Sequence, residues 1–216
     1  MFPMEWQAKS IDAQAEPLRW REIRRSQSAV LAAMSAYPPP LLARYLERVY
    51  VARSLSFRGV TAAGTSSRDR IYIADDGLSA GFDDRYLAET FHHEFAHILQ
   101  RENPALLDRE AWAALNGRDF HYAAGGVQSI KQGRLGHGLD EPFLTQGFFG
   151  AYPMSSLDED FAVTAEHLFL DGAALWPILD SHPLLAKKVA LVIRFYAQLD
   201  PELSELHFRT ATPLSR

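Results

Sequence analysis

The sequence predicts an α+β fold with a helical C-terminal half. Alternation of apolar and polar residues, typical of strands, is confined to residues 49–75, whereas helical spacing of apolar residues recurs between 83 and 199. The 216 residues are 47% hydrophobic, which is enough to bury the core of one globular domain. We expect a tail or linker over 1–25 and a single domain over 26–216.

Composition excludes several classes of protein. The formal charge of −5 gives no indication of a basic surface that would bind nucleic acid or anionic lipid. The basic segment 19–25 is interpreted as a solvated face. The chain has no cysteine, so disulfides, zinc–thiolate sites and thiol nucleophiles are excluded. No stretch reaches the roughly 20 apolar residues that a membrane span needs. A metal ion would therefore be bound by His, Asp or Glu.

The N-terminal part, to about residue 82, is predicted to contain two helices and then strands. The polar stretch 5–17 is typical of a tether, and the turn-rich segment 59–69 is expected to connect strands. Serine caps and prolines delimit the helices, and β-branched and aromatic residues mark the strands. The predicted helices are "SQSAVLAAMSAYP" (26–38) and "PPPLLARYLERVY" (38–50), and the predicted strands are "VYVARSLSF" (49–57) and "RIYIAD" (70–75).

Residues 83–103 are predicted to form a long amphipathic helix. Asp83 or Asp84 is expected to cap it, and large apolar residues recur on one face at helical spacing. A short helix (104–116) and a Gly-, Pro- and Ser-rich segment (117–156) follow. A loop of that length inside a compact domain is usually functional. The remaining predicted helices span 157–170, 173–180 and 184–199.

The long helix carries the motif His93-Glu94-Phe95-Ala96-His97. Residues i and i+4 lie one turn apart, so His93 and His97 can direct two imidazoles at one ion. Glu94 can then act as general base on a zinc-activated water. The alternative is that this spacing arose by chance on an ordinary helix.

A catalytic zinc ion needs a third protein ligand. Gln100 and Asn103 exclude the continuation in which a third histidine follows on the same segment. The acidic start of the helix at 157–170 is the other source, and it offers Glu159 first, with Asp160 and Glu166 behind it. The same residues also form a capping box with Ser156, so a purely structural role for Glu159 stays open.

"HHEFAHIL" followed far downstream by "GFFGAYPMSSLDEDFA" resembles the gluzincin group of zinc metallopeptidases, and in particular its little-characterised bacterial members. The resemblance covers about residues 45–170. It implies a small zincin-like domain with a short mixed sheet packed on the motif helix. It also implies Glu159 as the third ligand of one zinc ion, and Tyr152 as a hydrogen-bond donor to the oxyanion. A structural tyrosine beside Pro153 is the alternative.

The sequence departs from that pattern at one position. The resemblance implies an acidic residue four positions after the ligand glutamate, where it orients a zinc-bound histidine, and this chain has Val163 there. Asp160, Glu166 or a backbone carbonyl would have to take over that task. Without a substitute, we expect metal affinity or turnover to be weak.

The other histidines receive lesser roles. His92 is expected in the core or behind a ligand, because it lies about 100° round the helix from His93. His137, in a glycine-rich segment, is a candidate for folding over the cleft. His121 and His167 are further ligand candidates, and His182 and His207 are expected to be structural or exposed.

These residues support two classes of function. The first is a zinc metallopeptidase that hydrolyses protein or peptide substrates, with "RIYIAD" or the strand before it offering an edge for an extended peptide. The second is a metal-binding module of the same fold. Val163 in place of an acid favours this module, whereas the presence of Glu94 as a possible general base favours an enzyme. A non-peptide hydrolase would use the same metal chemistry.

Location and assembly are less determined. No signal peptide is visible, so a cytoplasmic protein and an exported chain without its leader both fit; the resemblance favours export. The oligomeric state is not predicted.

Overall fold

A computed structural model describes residues 2–123, 139 and 141–211. The described residues form an α+β fold, as predicted, with two small sheets before the motif helix and helices after it. The chain divides into two compact units, residues 1–98 and 99–215. Whether 26–216 behaves as a single domain stays a prediction. Of the helices in the described residues, none combines the length and the apolar character needed to cross a membrane.

The first unit contains two three-stranded sheets. The first sheet, in the order β1-β3-β4, is antiparallel, and the second, in the order β2-β6-β5, pairs β2 parallel and β5 antiparallel to β6. The second sheet is therefore mixed. The strands are β1 (Gln14–Glu16), β2 (Arg48–Ala52), β3 (Ser54–Phe57), β4 (Val60–Ala62), β5 (Gly64–Ser67) and β6 (Arg70–Ala74).

Two expectations for this unit were wrong in detail, and one of the two alternatives for a sheet edge was confirmed. The predicted single strand 49–57 is two strands in different sheets, and the turn-rich segment 59–69 contains β4 and β5. "RIYIAD" is not an edge, because β6 lies between β2 and β5; β2, which falls in the preceding predicted strand, is an edge. Short strands with small polar residues resemble turns in sequence because their stability comes from cross-strand pairing.

The predicted tether contributes to the core of the first unit. β1 pairs with β3, and Phe2 and Trp6 pack against a buried cluster that includes Leu55 and Tyr72. The ring centroids of Trp6 and Tyr72 are 5.4 Å apart. Aromatic burial of this kind orders a polar segment that has no strong secondary-structure pattern of its own.

A buried carboxylate joins the helical and strand parts of the first unit. Asp75, fully buried just after β6, accepts hydrogen bonds from Arg25 (2.5 Å), from the Ser26 hydroxyl (2.5 Å) and from the Gly77 amide (2.9 Å). Arg25 and Ser26 belong to helix α1 (Ile23–Met34). A buried charge is tolerated because it is paired and fully hydrogen-bonded.

The helices follow the predicted order, with boundaries shifted by a few residues. Proline begins α2 and α8, and serine or aspartate side chains cap α4, α6 and α9. The helix Glu141–Leu144, which lies in the predicted loop 117–156, and the last helix have no counterpart in the sequence prediction. The helices are α1 (Ile23–Met34), α2 (Pro39–Tyr45), α3 (Asp84–Glu102), α4 (Arg109–Leu115), α5 (Glu141–Leu144), α6 (Leu157–Leu170), α7 (Leu175–Ser181), α8 (Pro183–Leu199) and α9 (Glu205–Thr210).

Candidate metal centre

Helix α3 carries the histidine motif in the middle of its length. Asp83 caps it, since its carboxylate accepts a hydrogen bond from the Tyr86 amide at 2.8 Å. The predicted apolar face is buried, which fixes the rotation of the helix and leaves the motif histidines on a partly accessible side. The residues of this face, all fully buried, are Leu87, Phe91, Phe95 and Ile98.

The side chains of His93 and His97 face each other. Their Nε2 atoms are 3.2 Å apart, and their rings are nearly perpendicular, at 83°. Two nitrogens that bind one tetrahedral zinc ion at about 2.0–2.1 Å are separated by about 3.3–3.4 Å. The observed separation therefore suits two ligands of one ion with almost no rearrangement.

Glu94 lies between these histidines in sequence and is buried, with 7% of its surface exposed. Its neighbour on the sheet side is β5: a Cβ added to Gly64 would lie 3.2 Å from the Cγ of Glu94. The strand backbone thus restricts the rotamers of this side chain. A carboxylate in such a position is held in place more firmly than one in solvent.

His92 has the core position predicted for it. The ring is 1% exposed, and its Nδ1 atom lies 2.9 Å from the Tyr37 hydroxyl of the segment after α1. Tyr37 also packs edge-on against Phe95, with ring centroids 4.9 Å apart. These contacts pack α3 against the segment that follows α1.

Glu159 is the third member of the group. One donor atom from each of His93, His97 and Glu159 lies within 4.8 Å of the others. Among the described residues, this is the group of His, Asp and Glu side chains suited to holding a metal ion. Glu159 is the third residue of α6, where its amide donates to the Ser156 hydroxyl at 3.1 Å. The predicted cap is therefore present, and it is compatible with a ligand role for the same residue.

Asp160, the next residue, has a different environment. Its Oδ2 atom accepts hydrogen bonds from Lys188 Nζ (2.7 Å), Tyr122 OH (2.7 Å) and Trp112 Nε1 (2.9 Å). Burial raises the pKa of the Asp160 carboxyl and lowers the pKa of the Lys188 ammonium, and their ion pair opposes both shifts. Burial also raises the pKa of Tyr122, so its hydroxyl remains a donor. Asp160 thus anchors the first turn of α6.

These contacts limit the substitutes that were considered for the acid missing at Val163. Val163 is buried at 1% exposure, and Asp160 is engaged by Lys188. Glu166 is buried on the same helix at 3% exposure. A role for Glu166 in orienting a ligand histidine stays a prediction.

Tyr152 begins a short 3-10 helix, Tyr152–Ser155, directly before the Ser156 cap of α6. Its side chain is partly buried. The short chain distance couples its position to that of Glu159, and its role as an oxyanion donor stays a prediction.

The histidines outside α3 have different surroundings. His167 is buried, its Nδ1 atom lies 2.6 Å from Asp171, and its ring stacks on Phe149 at 4.2 Å. His167 thus contacts Asp171 and Phe149 and does not belong to the group that could hold a metal ion. His121 and His207 are exposed and partly buried, respectively. His137 lies outside the described residues.

His182 is structural, as expected. It lies between α7 and α8, and its ring contacts the Ile178 carbonyl at 2.7 Å and Glu141 at 3.3 Å. The Ile178 carbonyl and Glu141 raise its pKa.

The sequence analysis did not identify the roles of two residues near the candidate site. Lys188 lies in the apolar stripe of α8, where Leu185, Val189 and Val192 are buried, and a lysine at such spacing signals a buried partner. Gly64 gave no signal, because a glycine in a turn-rich segment looks like a turn residue.

Comparisons with known proteins add no relative. A scan against protein-family models, a search of curated proteins and a search of solved structures each returned no match. Any function of this chain is therefore inferred from its residues and their geometry.

Proposed function

We propose that this protein is a zinc-dependent metallopeptidase of the gluzincin type, with a zincin-like fold. The observation that carries the proposal is the group of His93, His97 and Glu159, with Glu94 beside it on α3. Two imidazole nitrogens and one carboxylate oxygen are a donor set typical of catalytic zinc. A purely structural zinc site has no use for a general base, which Glu94 supplies.

The protein's own groups have distinct tasks in this proposal. His93, His97 and Glu159 hold the ion, which when bound supplies a Lewis acid that activates water and polarises a carbonyl. Glu94 accepts the proton of the attacking water and later donates it to the leaving amine. Tyr152 donates a hydrogen bond where negative charge develops on the carbonyl oxygen. Protein or peptide is the proposed substrate.

The decisive experiment separates metal binding from hydrolysis. Zinc content after dialysis and cleavage of a denatured protein are measured for the wild type, His97→Ala, Glu159→Ala and Glu94→Gln. We expect one zinc per chain in the wild type, loss of zinc in the two ligand variants, and retained zinc without cleavage in Glu94→Gln. Glu202→Ala, at an exposed position with no role in the proposed site, is the control and should behave as wild type.

Two outcomes of this experiment would contradict the proposed roles. Full zinc content in Glu159→Ala would remove Glu159 from the ligand set. Wild-type cleavage by Glu94→Gln would contradict its role as general base.

One observation favours a second candidate, a metal-binding module with weak or no peptidase activity. Val163 occupies, buried and apolar, the place where the resemblance implies an acid that orients a ligand histidine. Loss of such a partner typically costs about 10- to 100-fold in metal affinity or activity. Full zinc occupancy with no hydrolysis of a broad peptide library would favour this module.

A further inference from the structure

We infer that Gly64 is a positioning residue for Glu94: it lets the backbone of strand β5 lie directly against helix α3 at that side chain. The inference rests on the proposed function for its catalytic meaning. The contact itself is independent of that function.

The position of Gly64 is fixed by the sheet. Gly64 pairs with Ile73 of β6, and β5 is an edge strand of its sheet. A Cβ added at residue 64 would overlap the Cγ2 atom of Thr90, and it would lie 3.1 Å from the Tyr72 carbonyl oxygen and 3.2 Å from Glu94 Cγ. There is no room for a side chain on the α3 side of this strand.

The need for glycine here is one of space. Gly64 is not among the glycines with positive φ, whereas Gly59 (φ +73°) has that conformation and open space around its position. An L-residue could adopt the strand backbone at 64 but could not fit against α3. Close approach of two backbones is thus the physical reason for the residue type.

Thr90 and Glu94 are one helical turn apart, so β5 contacts both from the same side. Thr90 is held by a hydrogen bond from its hydroxyl to the Tyr86 carbonyl at 2.9 Å. Glu94 is buried and flanked in sequence by the candidate ligand His93. A side chain at 64 would therefore push Thr90 strongly and Glu94 by a few tenths of an ångström.

The test is a pair of double-mutant cycles read out by urea unfolding of the metal-free protein. Gly64→Ala should lower the unfolding midpoint by roughly 1 M, because overpacking strains the contact. Thr90→Ser removes Cγ2 and keeps the hydroxyl, so it should recover most of that loss. Glu94→Ala removes Cγ and should recover a smaller part. If Gly64→Ala does not fold, the unfolding midpoint of Gly64→Ala/Thr90→Ser is compared with that of Thr90→Ser instead.

Gly59→Ala is the matched control, because it strains the backbone without a steric partner and should be additive with Glu94→Ala. The inference is overturned if Gly64→Ala leaves the midpoint unchanged. It is equally overturned if Gly64→Ala loses as much stability in the Glu94→Ala background as in the wild type.

A second readout tests positioning. In the zinc-loaded protein, Gly64→Ala/Thr90→Ser should keep one zinc per chain and a KM near that of the wild type, while kcat falls roughly 10-fold, since small misplacements of a reacting group are costly. A wild-type kcat would overturn the positioning role. A wild type that cleaves no peptide overturns the proposed function, and the unfolding cycles still decide the contact.

Discussion

The middle of α3 and the first turn of α6 both present candidate metal ligands, but they hold them by different means. In α3, the relation between His93 and His97 is set within one helix, and their Nε2 atoms are 3.2 Å apart. In α6, Glu159 is followed by Asp160, whose buried carboxylate forms an ion pair with Lys188 of α8. Helical spacing alone positions the first pair. In α6, the ion pair between Asp160 and Lys188 anchors the turn that carries Glu159. Mutations should therefore disturb the two regions in different ways.

The largest effect is expected from breaking the anchor of α6. Lys188→Met leaves the Asp160 carboxylate buried without its cation, which should lower the free energy of unfolding by about 3–5 kcal/mol. Urea unfolding measures the loss. Lys187→Met, an exposed neighbour on the same helix, is the control.

A double variant sharpens this result. Asp160→Asn/Lys188→Met removes both charges and keeps an acceptor for Trp112 and Tyr122, so it should be more stable than Lys188→Met. If the double variant is the less stable of the two, the pair does not dominate the cluster.

A smaller effect is expected on the α3 side. Tyr37→Phe keeps the ring contact with Phe95 and removes the hydroxyl at His92 Nδ1, which should cost about 1–3 kcal/mol because His92 is buried. The measurement is urea unfolding together with zinc content. Zinc stoichiometry should not change, since His93 and His97 remain one turn apart on an intact helix. Loss of zinc would show that the spacing within α3 is not sufficient.

The cap of α6 should matter less for stability and more for the metal. Ser156→Ala removes the acceptor of the Glu159 amide, which should cost about 1 kcal/mol of unfolding free energy. Because the cap orders the turn that carries Glu159, zinc affinity measured by competition with a chelator should also fall. Ser204→Ala, which removes the cap of α9, is the comparison and should leave zinc affinity unchanged.

The smallest expected effect is a pH dependence at His182. The raised pKa of His182 means that protonation favours the folded state. Its contribution is complete below the unfolded value of about 6.5 and is lost as pH rises through the raised folded value. His182→Gln should therefore lower the Tm relative to wild type at pH 5.5 and differ less at pH 8.5. An equal deficit at both pH values would contradict the linkage.

The sequence by itself determined the features that have local causes. The α+β class, the extent of α3, its acidic cap at Asp83 or Asp84 and the Ser156 cap of α6 follow from periodicity and from side chains that bond their own backbone. The facing of His93 and His97 follows from helical geometry in the same way.

The tertiary structure decided what depends on partners far apart in the chain. β4 and β5 form because neighbouring strands pair with them, and the segment around Trp6 is ordered because sheet aromatics bury it. Of two adjacent acids, Asp160 is paired with a lysine 28 residues later, whereas Glu159 lies in the group that could hold a metal ion. Gly64 has meaning only where its strand meets α3. No local pattern encodes these contacts, because each depends on which side chain the fold brings opposite.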